Sequence, residues 1–583
     1  MHVLWLKKKK YEVDCDIIVD IEAGNYYIQK PLEFGIEDSG ENENYVIFKG
    51  NENGDTVING GIPVTDWVSD GNGVWTAKVE NIDYVRELYI DDVPLKKAHT
   101  ADINIIGAYD KDASTDITYD DDGNMIIVPR DGVIVPYDSV KDLMGKTGLY
   151  AVWNVYYQTF IFPISQIKDL GNSQAAIIIE AQYYDKAKSY HDTKLIMRDT
   201  PSLNDRFYIE NSDILLDEEN EFYYSDGTIS VKCSGNPNES ECYIPLSEGL
   251  LNICGTEVQR VKNLKFENLT FKYGAWNEPS VNGLAITQAD AYRNTPEEAY
   301  ERTTGLIPGQ IQMKWCDNCY FTNNTVKNVA SCGISVTEGN KNCTVEGNIF
   351  ENTGAGAVIL GYHRHVFLYG YDDKMCRDNV VKNNVIKNVS LNYPSSPAIS
   401  VYYTRNSYIA HNDIKNTPYT GISLGWFEVE YYLAKNNVVA YNKVEDVVNK
   451  MYDGASIYMR GTQNKAYVFG NYFKKSGDKL SYTGEGYRGG IYIDDSTSGI
   501  EAYNNVVCEC YNWLFSPGVK VGEIIPNKVY NNYSDTQSYS IGSTNGITVS
   551  NNTVCEDREW SSEANSIIEN AGLETKYKHL LEK

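Results

Sequence analysis

Residues 318–328, NCYFTNNTVKN, and 342–352, NCTVEGNIFEN, superimpose at an offset of 24, which sets Asn318 on Asn342, Cys319 on Cys343, Asn324 on Asn348 and Asn328 on Asn352. The same phrase, an apolar strand leading into Asn and then x-[VIFT], recurs around Asn268, Asn384, Asn412, Asn442, Asn471, Asn505, Asn532 and Asn552. An Asn that returns once per turn of a coil can stack its side-chain amides along the axis while bending the backbone tightly. That is what a right-handed parallel β-helix requires. The leucine-rich repeat is the competing solenoid, and its L-x-x-L-x-L frame is absent. The expected fold class is therefore all-β.

A second strand repeats in step, as GISV around Ile334, AVIL around Val358, AISV around Ile399, GISL around Ile422, SIYM around Ile457 and GIYI around Ile491. With these residues inward, the two-residue period of a strand turns Ser335, Ile359, Ser400, Ser423, Tyr458 and Tyr492 outward. Spacing locates the insertions. From Asn324, Asn348 and Asn412 to the next inward residue the distance is 10, from Asn384 and Asn442 it is 15, and from Asn471 it is 20. At the other corner the step to the next Asn grows to 26 after Val358 and 20 after Ile422. Loops on both sides of one sheet make a groove.

Before residue 206 the ladder fades. Residues 1–98 contain DIIVDIEAGNYYI and VIFKGNENGDTVINGG and read as irregular first coils. Residues 99–205, with YAVWNVYYQTFIF and AAIIIEAQYY, read as an inserted β-rich domain, and 206–583 as the main β-helix carrying the groove. The balance of 52 Lys+Arg against 80 Asp+Glu gives a net charge of −28, which repels nucleic acid and anionic membrane surfaces. No run of 18 apolar residues spans a bilayer. The opening MHVLWLKKKK sets its apolar residues before the basic run, the reverse of a secretory signal. The expected compartment is cytoplasmic, or extracytoplasmic if the chain is exported with a partner. Twelve Cys spread over 583 residues read as mostly reduced and buried.

Two carboxylates close together in a groove suit glycoside hydrolysis. In VEDVVNKMYDGASIYMRG, Asp446 ends one strand and Asp453 lies in the corner insertion before Ile457. Asp446 also shares a column with Asn328, Asn352, Asn388 and Asn416, which suits a turn residue, and Asp453 precedes a glycine, which suits an Asp-Gly turn. Asp494, in GIYIDDSTSG, points onto the groove floor beside Arg460, as an ion pair or a sugar-hydroxyl contact. About seven strand residues, on the order of 20 Å, separate it from Asp453 on a straight rise. Tyr419, His363 and Trp426 supply aromatic and donor groups for a sugar face. Cys316 and Cys319 form CDNC, but without a second close pair they read as buried ladder cysteines. Asp372 and Asp373 could hold a structural calcium or serve as surface charge. No dinucleotide or phosphate loop is present, so no organic cofactor is implied.

The Asn coils, HNDIKNTPYTGISLGW, EDVVNKMYDGASIY and GIYIDDSTSG together resemble β-helical glycoside hydrolases over most of residues 206–583. The lacto-N-biosidase family, which releases lacto-N-biose from milk-type oligosaccharides with retention, has two catalytic Asp seven apart. Asp446 and Asp453 match that spacing, and the resemblance makes Asp453 the nucleophile and Asp446 the acid/base. The α-L-fucosidase/xylanase β-helix family is similar along the same coils, and there the acidic residues correspond to Asp453 and Asp494. Some lacto-N-biosidases are encoded in two pieces, so a separate helper chain is an expected partner, beside the oligosaccharide substrate. A non-catalytic glycan-binding β-helix and a polysaccharide lyase are the rival functions.

Overall fold

The computed structural model describes residues 14–109, 116–119, 125–128, 131–180, 182–183, 206–293, 304–363, 372–425, 433–477, 487–518, 525–542 and 546–583. The chain forms two compact units, one of residues 1–60, 247–274 and 307–583, the other of 61–246 and 275–306. The inserted unit is thus larger than the expected 99–205. It takes in residues 61–98 and 206–246, and the chain enters it a second time after residue 274.

The first unit is a parallel β-helix. Its three parallel sheets have 12, 12 and 11 strands among the described residues. The first sheet runs from Ile17–Asp20 to Ile547–Ser550, the second from Gly24–Tyr27 to Thr553–Val554, and the third from Leu32–Phe34 to Tyr539–Ile541. Each coil contributes one strand to each sheet and directs apolar side chains to a shared interior, as with Phe321, Val326 and Ile334, which meet Val345, Phe350 and Val358 one coil on.

The corner between the first two sheets explains the Asn phrase. Asn323, His411, Tyr441 and Asn504 hold positive φ of 51–56° there, with Gly347 and Gly470 at 71° and 68°. This bend suits Asn and Gly because it crowds a Cβ. The next residue is the ladder Asn. From Asn348 through Asn384, Asn412, Asn442, Asn471, Asn505 and Asn532 to Asn552, each Nδ2 donates to the following Oδ1 at 2.9–3.0 Å. Asn268 is not a rung. It takes the bend itself at φ +58°, and Leu269 stands in the ladder column, donating its backbone N–H to Asn324 Oδ1 at 2.9 Å.

In the third sheet Ile334, Val358, Ile399, Ile422, Ile457 and Ile491 are paired in register and buried, and Ser335, Ile359, Ser400, Ser423, Tyr458 and Tyr492 form the adjacent outward column. This outward column is itself buried. Cys319 and Cys343 stack in neighbouring coils, and their thiols donate to the main-chain carbonyls of Val261 and Lys341 at 3.6 and 3.3 Å. Cys316 donates to Ile253 O at 3.2 Å, so the CDNC pair is part of the coil interior. All twelve cysteines are free thiols, and all but Cys15, Cys254 and Cys555 are buried.

The second unit is mostly antiparallel. The strands Tyr150–Val155, Gln158–Gly171 and Gln174–Ile179 pair in sequence. They enclose Trp153, Phe162 and Phe207, the first and last with ring centroids 4.4 Å apart. A second core gathers Leu88, Phe222, Ile229 and Val231. Among the described residues no helix is long and apolar enough to cross a membrane.

Candidate active site

Asp453 precedes the third-sheet strand Gly454–Met459 with φ +57°, so the aspartate itself takes the left-handed bend. The glycine after it answers to a different need. A Cβ on Gly454 would stand 2.8 Å from the Tyr419 ring and 2.7 Å from Thr420 Oγ1. Tyr419 is buried and donates its hydroxyl to the main-chain oxygen of Asp453 at 2.8 Å, so it fixes the Asp453 backbone from below.

The hydroxyl of Tyr492, one coil on, lies within hydrogen-bond distance of both carboxyls, 2.7 Å from Asp453 Oδ1 and 3.3 Å from Asp494 Oδ1. The two carboxyl oxygens are therefore no further apart than the sum of 2.7 and 3.3 Å, about 6 Å. The expected separation of some 20 Å fails because the strand is not straight at its start. Ala455 and Tyr458 both pack on the outer side with Tyr492 and Phe515, while Ile457 faces inward, which breaks the two-residue alternation between 455 and 457. The residues before that break turn over the outer face, and Asp453 reaches the tyrosine hydroxyl there.

Asp494 follows the strand Arg488–Ile493 and is held from several sides. Oδ1 accepts the Asp495 N–H at 2.7 Å, Oδ2 accepts the Tyr458 hydroxyl, and Arg460 Nε stands 3.9 Å from Oδ2 and 4.0 Å from Asp495 Oδ1. Asp453 has less support for its charge. Burial and then the negative charge of Asp494 push its carboxyl up to about 7, against the opposing pull of Tyr492 and Arg460. Burial also raises Asp494, and Arg460 and Tyr458 oppose it. Both phenols are pushed well above their ordinary value by burial and the adjacent carboxylates, so they remain donors.

Asp446 lies near the end of the strand Lys443–Val447. It lies in the corner column after the second sheet, at φ +58°, where Asn328, Asn352, Asn388 and Asn416 stand at 52–56°. Its main-chain oxygen accepts Asn449 Nδ2 at 3.4 Å. The turn reading of Asp446 therefore describes its position, and Asp494 is the carboxyl joined to Asp453. Asp373 Oδ1 accepts Lys341 Nζ at 2.9 Å, with Arg260 4.0 Å away.

Residues 202–371 and 309–507 match the family described as the right-handed β-helix region, together more than half of the sequence. The chain belongs to the right-handed β-helix family. A search of curated proteins returns no match. Among solved structures, one described as a glycoside hydrolase superimposes on 99% of this right-handed β-helix chain and 95% of its own, at 20% identity and a TM-score of 0.76, which shows a shared fold over the whole length. A complex of XylC with xylose covers 95% and 83% of the two chains at 11% identity and a TM-score of 0.47. A lacto-N-biosidase from Eubacterium ramulus covers 52% and 59% at 12% identity and a TM-score of 0.32.

On this β-helix, the sequence singles out Asp453, Asp494, Arg460 and Tyr419, and the structure brings Asp453, Asp494 and Arg460 together, while Tyr419, expected to face a sugar, is buried with its hydroxyl on the Asp453 main chain. His363 packs against the rings of Tyr362 and Tyr402 at 5.3 and 6.1 Å, three coils before Tyr458. Trp426 lies outside the described residues. The roles of Tyr458 and Tyr492 were missed. Their signal is present in the sequence, since they are the two tyrosines of the outward column and stand in consecutive coils, one shortly after Asp453 and the other just before Asp494.

Proposed function

We propose that this chain is a retaining glycoside hydrolase with Asp494 as nucleophile and Asp453 as general acid/base. The observation that carries the reading is the meeting of the two carboxyls on one tyrosine hydroxyl. Retaining enzymes hold their carboxyls about 5–5.5 Å apart and inverting ones about 6.5–9.5 Å. A bound of about 6 Å between these oxygens leaves little room for the water that inversion activates between them. Asp494, with a backbone N–H, a phenol and a guanidinium around it, is the better supported anion. Asp453, raised to about 7, keeps a proton to give near neutrality.

The cycle then balances as follows. Asp494 forms a bond to the anomeric carbon as the glycosidic C–O bond breaks, and the Asp453 proton goes to the departing oxygen. Water then loses a proton to Asp453 and attacks the same carbon, which frees Asp494. The similar solved structure described as a glycoside hydrolase supports the coarser part of this reading, a glycosidase. Release of lacto-N-biose is the narrower reading, and it draws on the Asp446 and Asp453 spacing. The Asp453 and Asp494 pairing instead favours a fucosidase- or xylanase-like substrate. A separate helper chain is proposed with either.

The test is product analysis with lacto-N-tetraose, fucosylated glycans and xylan, with and without any neighbouring-gene helper. Free fucose or xylo-oligosaccharides with a retained anomeric configuration supports the reading. Lacto-N-biose would return the pair to Asp446 and Asp453, and an unsaturated, ultraviolet-absorbing product would make the protein a lyase.

A further inference from the structure

We propose that the Tyr492 hydroxyl is a switching donor that follows the negative charge between the two carboxyls during turnover. The inference rests on the reading of Asp453 and Asp494 as the reacting pair, and it concerns a positioning residue that touches both.

A phenol has one proton to donate. Tyr492 Oη lies within reach of Asp453 Oδ1 at 2.7 Å and Asp494 Oδ1 at 3.3 Å, so it can serve only one of them at a time. Its ring is fixed. Tyr458 packs edge-on against it at 5.0 Å and 82°, and Phe515 at 4.7 Å and 90°, so the O–H bond can rotate while the oxygen stays in place. Tyr458 is placed differently, with its hydroxyl donating to Asp494 Oδ2.

In the resting pair Asp494 is charged and Asp453 protonated, and the Tyr492 proton points to Asp494. Once Asp494 has become the glycosyl ester and Asp453 has given up its proton, the charge is on Asp453. The O–H then turns to Asp453 Oδ1, the shorter of its two contacts. No proton leaves Tyr492 in either half of the cycle, and the bonds made and broken are those already stated. Among the described residues, the other titratable groups facing the pair are Tyr458, Tyr419, Arg460 and Asp495. Of these, Tyr458 and Arg460 face Asp494, Arg460 also reaches Asp495, and the Tyr419 hydroxyl is committed to a main-chain oxygen.

The two tyrosines can be separated by Tyr492→Phe and Tyr458→Phe, which keep the ring packing. Loss of a donor to an anion raises that group's pKa. Tyr492→Phe should move both limbs of the kcat/KM pH profile to higher pH by about one unit, because both anions lose their shared donor. Tyr458→Phe should move the acid limb alone. A substrate-free readout is carbodiimide labelling of Asp453, which modifies the protonated carboxyl and is followed by peptide mass spectrometry across neutral pH. Labelling should persist about one unit higher in Tyr492→Phe and stay at the wild-type position in Tyr458→Phe. Unchanged labelling and an unchanged basic limb in Tyr492→Phe overturn the proposal. Shifted labelling in a protein that cleaves no glycan keeps the shared donor and overturns the hydrolase reading.

Discussion

At the scale of single residues, Asp453 and Asp446 share one backbone conformation. Both take the left-handed bend, at +57° and +58°, a conformation Asp tolerates better than most residues. Asp453 shares the Tyr492 hydroxyl with a second carboxyl, Asp494. Asp446→Asn should therefore retain turnover within a few-fold of wild type, since Asn fills the same column in four other coils. Asp453→Asn should abolish it, and comparing the two rates decides between the pairings. Asp453 also bears on stability. Its folded pKa, about 7, lies above the unfolded carboxylate value of 3.8, so the fold binds the proton more tightly than the unfolded chain. The stabilising contribution is complete below the unfolded value and is lost as pH rises through about 7, a loss on the order of a few kcal/mol. Asp453→Asn should accordingly melt higher than wild type in mildly alkaline buffer and near it in acid, as read by scanning calorimetry. The column of Asp446 was legible in the sequence because neighbouring coils repeat it. The meeting of Asp453 with Asp494 was not, because it depends on a broken alternation and on the reach of a tyrosine from the next coil.

Among the elements, the Asn ladder was the most legible feature because its cause is local and repeated. One corner bend recurs, and each rung satisfies groups of its neighbours. The exception at Asn268 is a shift of one residue, and it arises because Asn suits both the bend and the ladder position beside it. The ladder's energetics can be tested rung by rung. Asn442 is fully buried, donates to Asn471 Oδ1 and to the carbonyls of Ile409 and Ala440, and accepts from the backbone and side chain of Asn412. Asn442→Ala should cost about 3 kcal/mol, because it takes the partner from the buried Asn412 N–H, removes the amide bonds on both sides and leaves a buried gap in the ladder. Asn552 closes the ladder and is half-buried, so Asn552→Ala should cost about 1 kcal/mol. Urea titration of both variants measures the difference, and equal costs would mean that the rungs act independently of burial.

For the β-helix unit as a whole, stability is expected to be passed from coil to coil, because each coil pairs only with its neighbours. The last residues depart from that rule. After the helix Ser562–Asn570, the chain returns to coils far earlier in sequence. The Gly572 N–H donates to Tyr441 O at 2.8 Å, and its own oxygen lies 3.0 Å from His411 Nδ1. Glu574 and Asn383 exchange hydrogen bonds at 3.0 and 2.8 Å, and the Tyr577 hydroxyl donates to Glu346 at 2.7 Å. Leu573 and Leu580 bury Ile349 and Val385 in the same stretch. Four successive coils are thus tied along the axis by contacts that the sequence periodicity does not contain, which is why the segment was not read from the repeat. Deleting residues 572–583 removes these bonds and uncovers two β-branched side chains, a loss of about 3 kcal/mol in local stability. The loss should stay local. Hydrogen exchange should speed up in the first-sheet strands Thr344–Glu346, Val380–Lys382, Tyr408–Ala410 and Val438–Ala440. Ser498–Tyr503 and Asn527–Tyr530, in later coils, should keep their protection. Acceleration spread evenly over all coils would instead show that the β-helix opens as one cooperative body, and that this segment stabilises the whole of it.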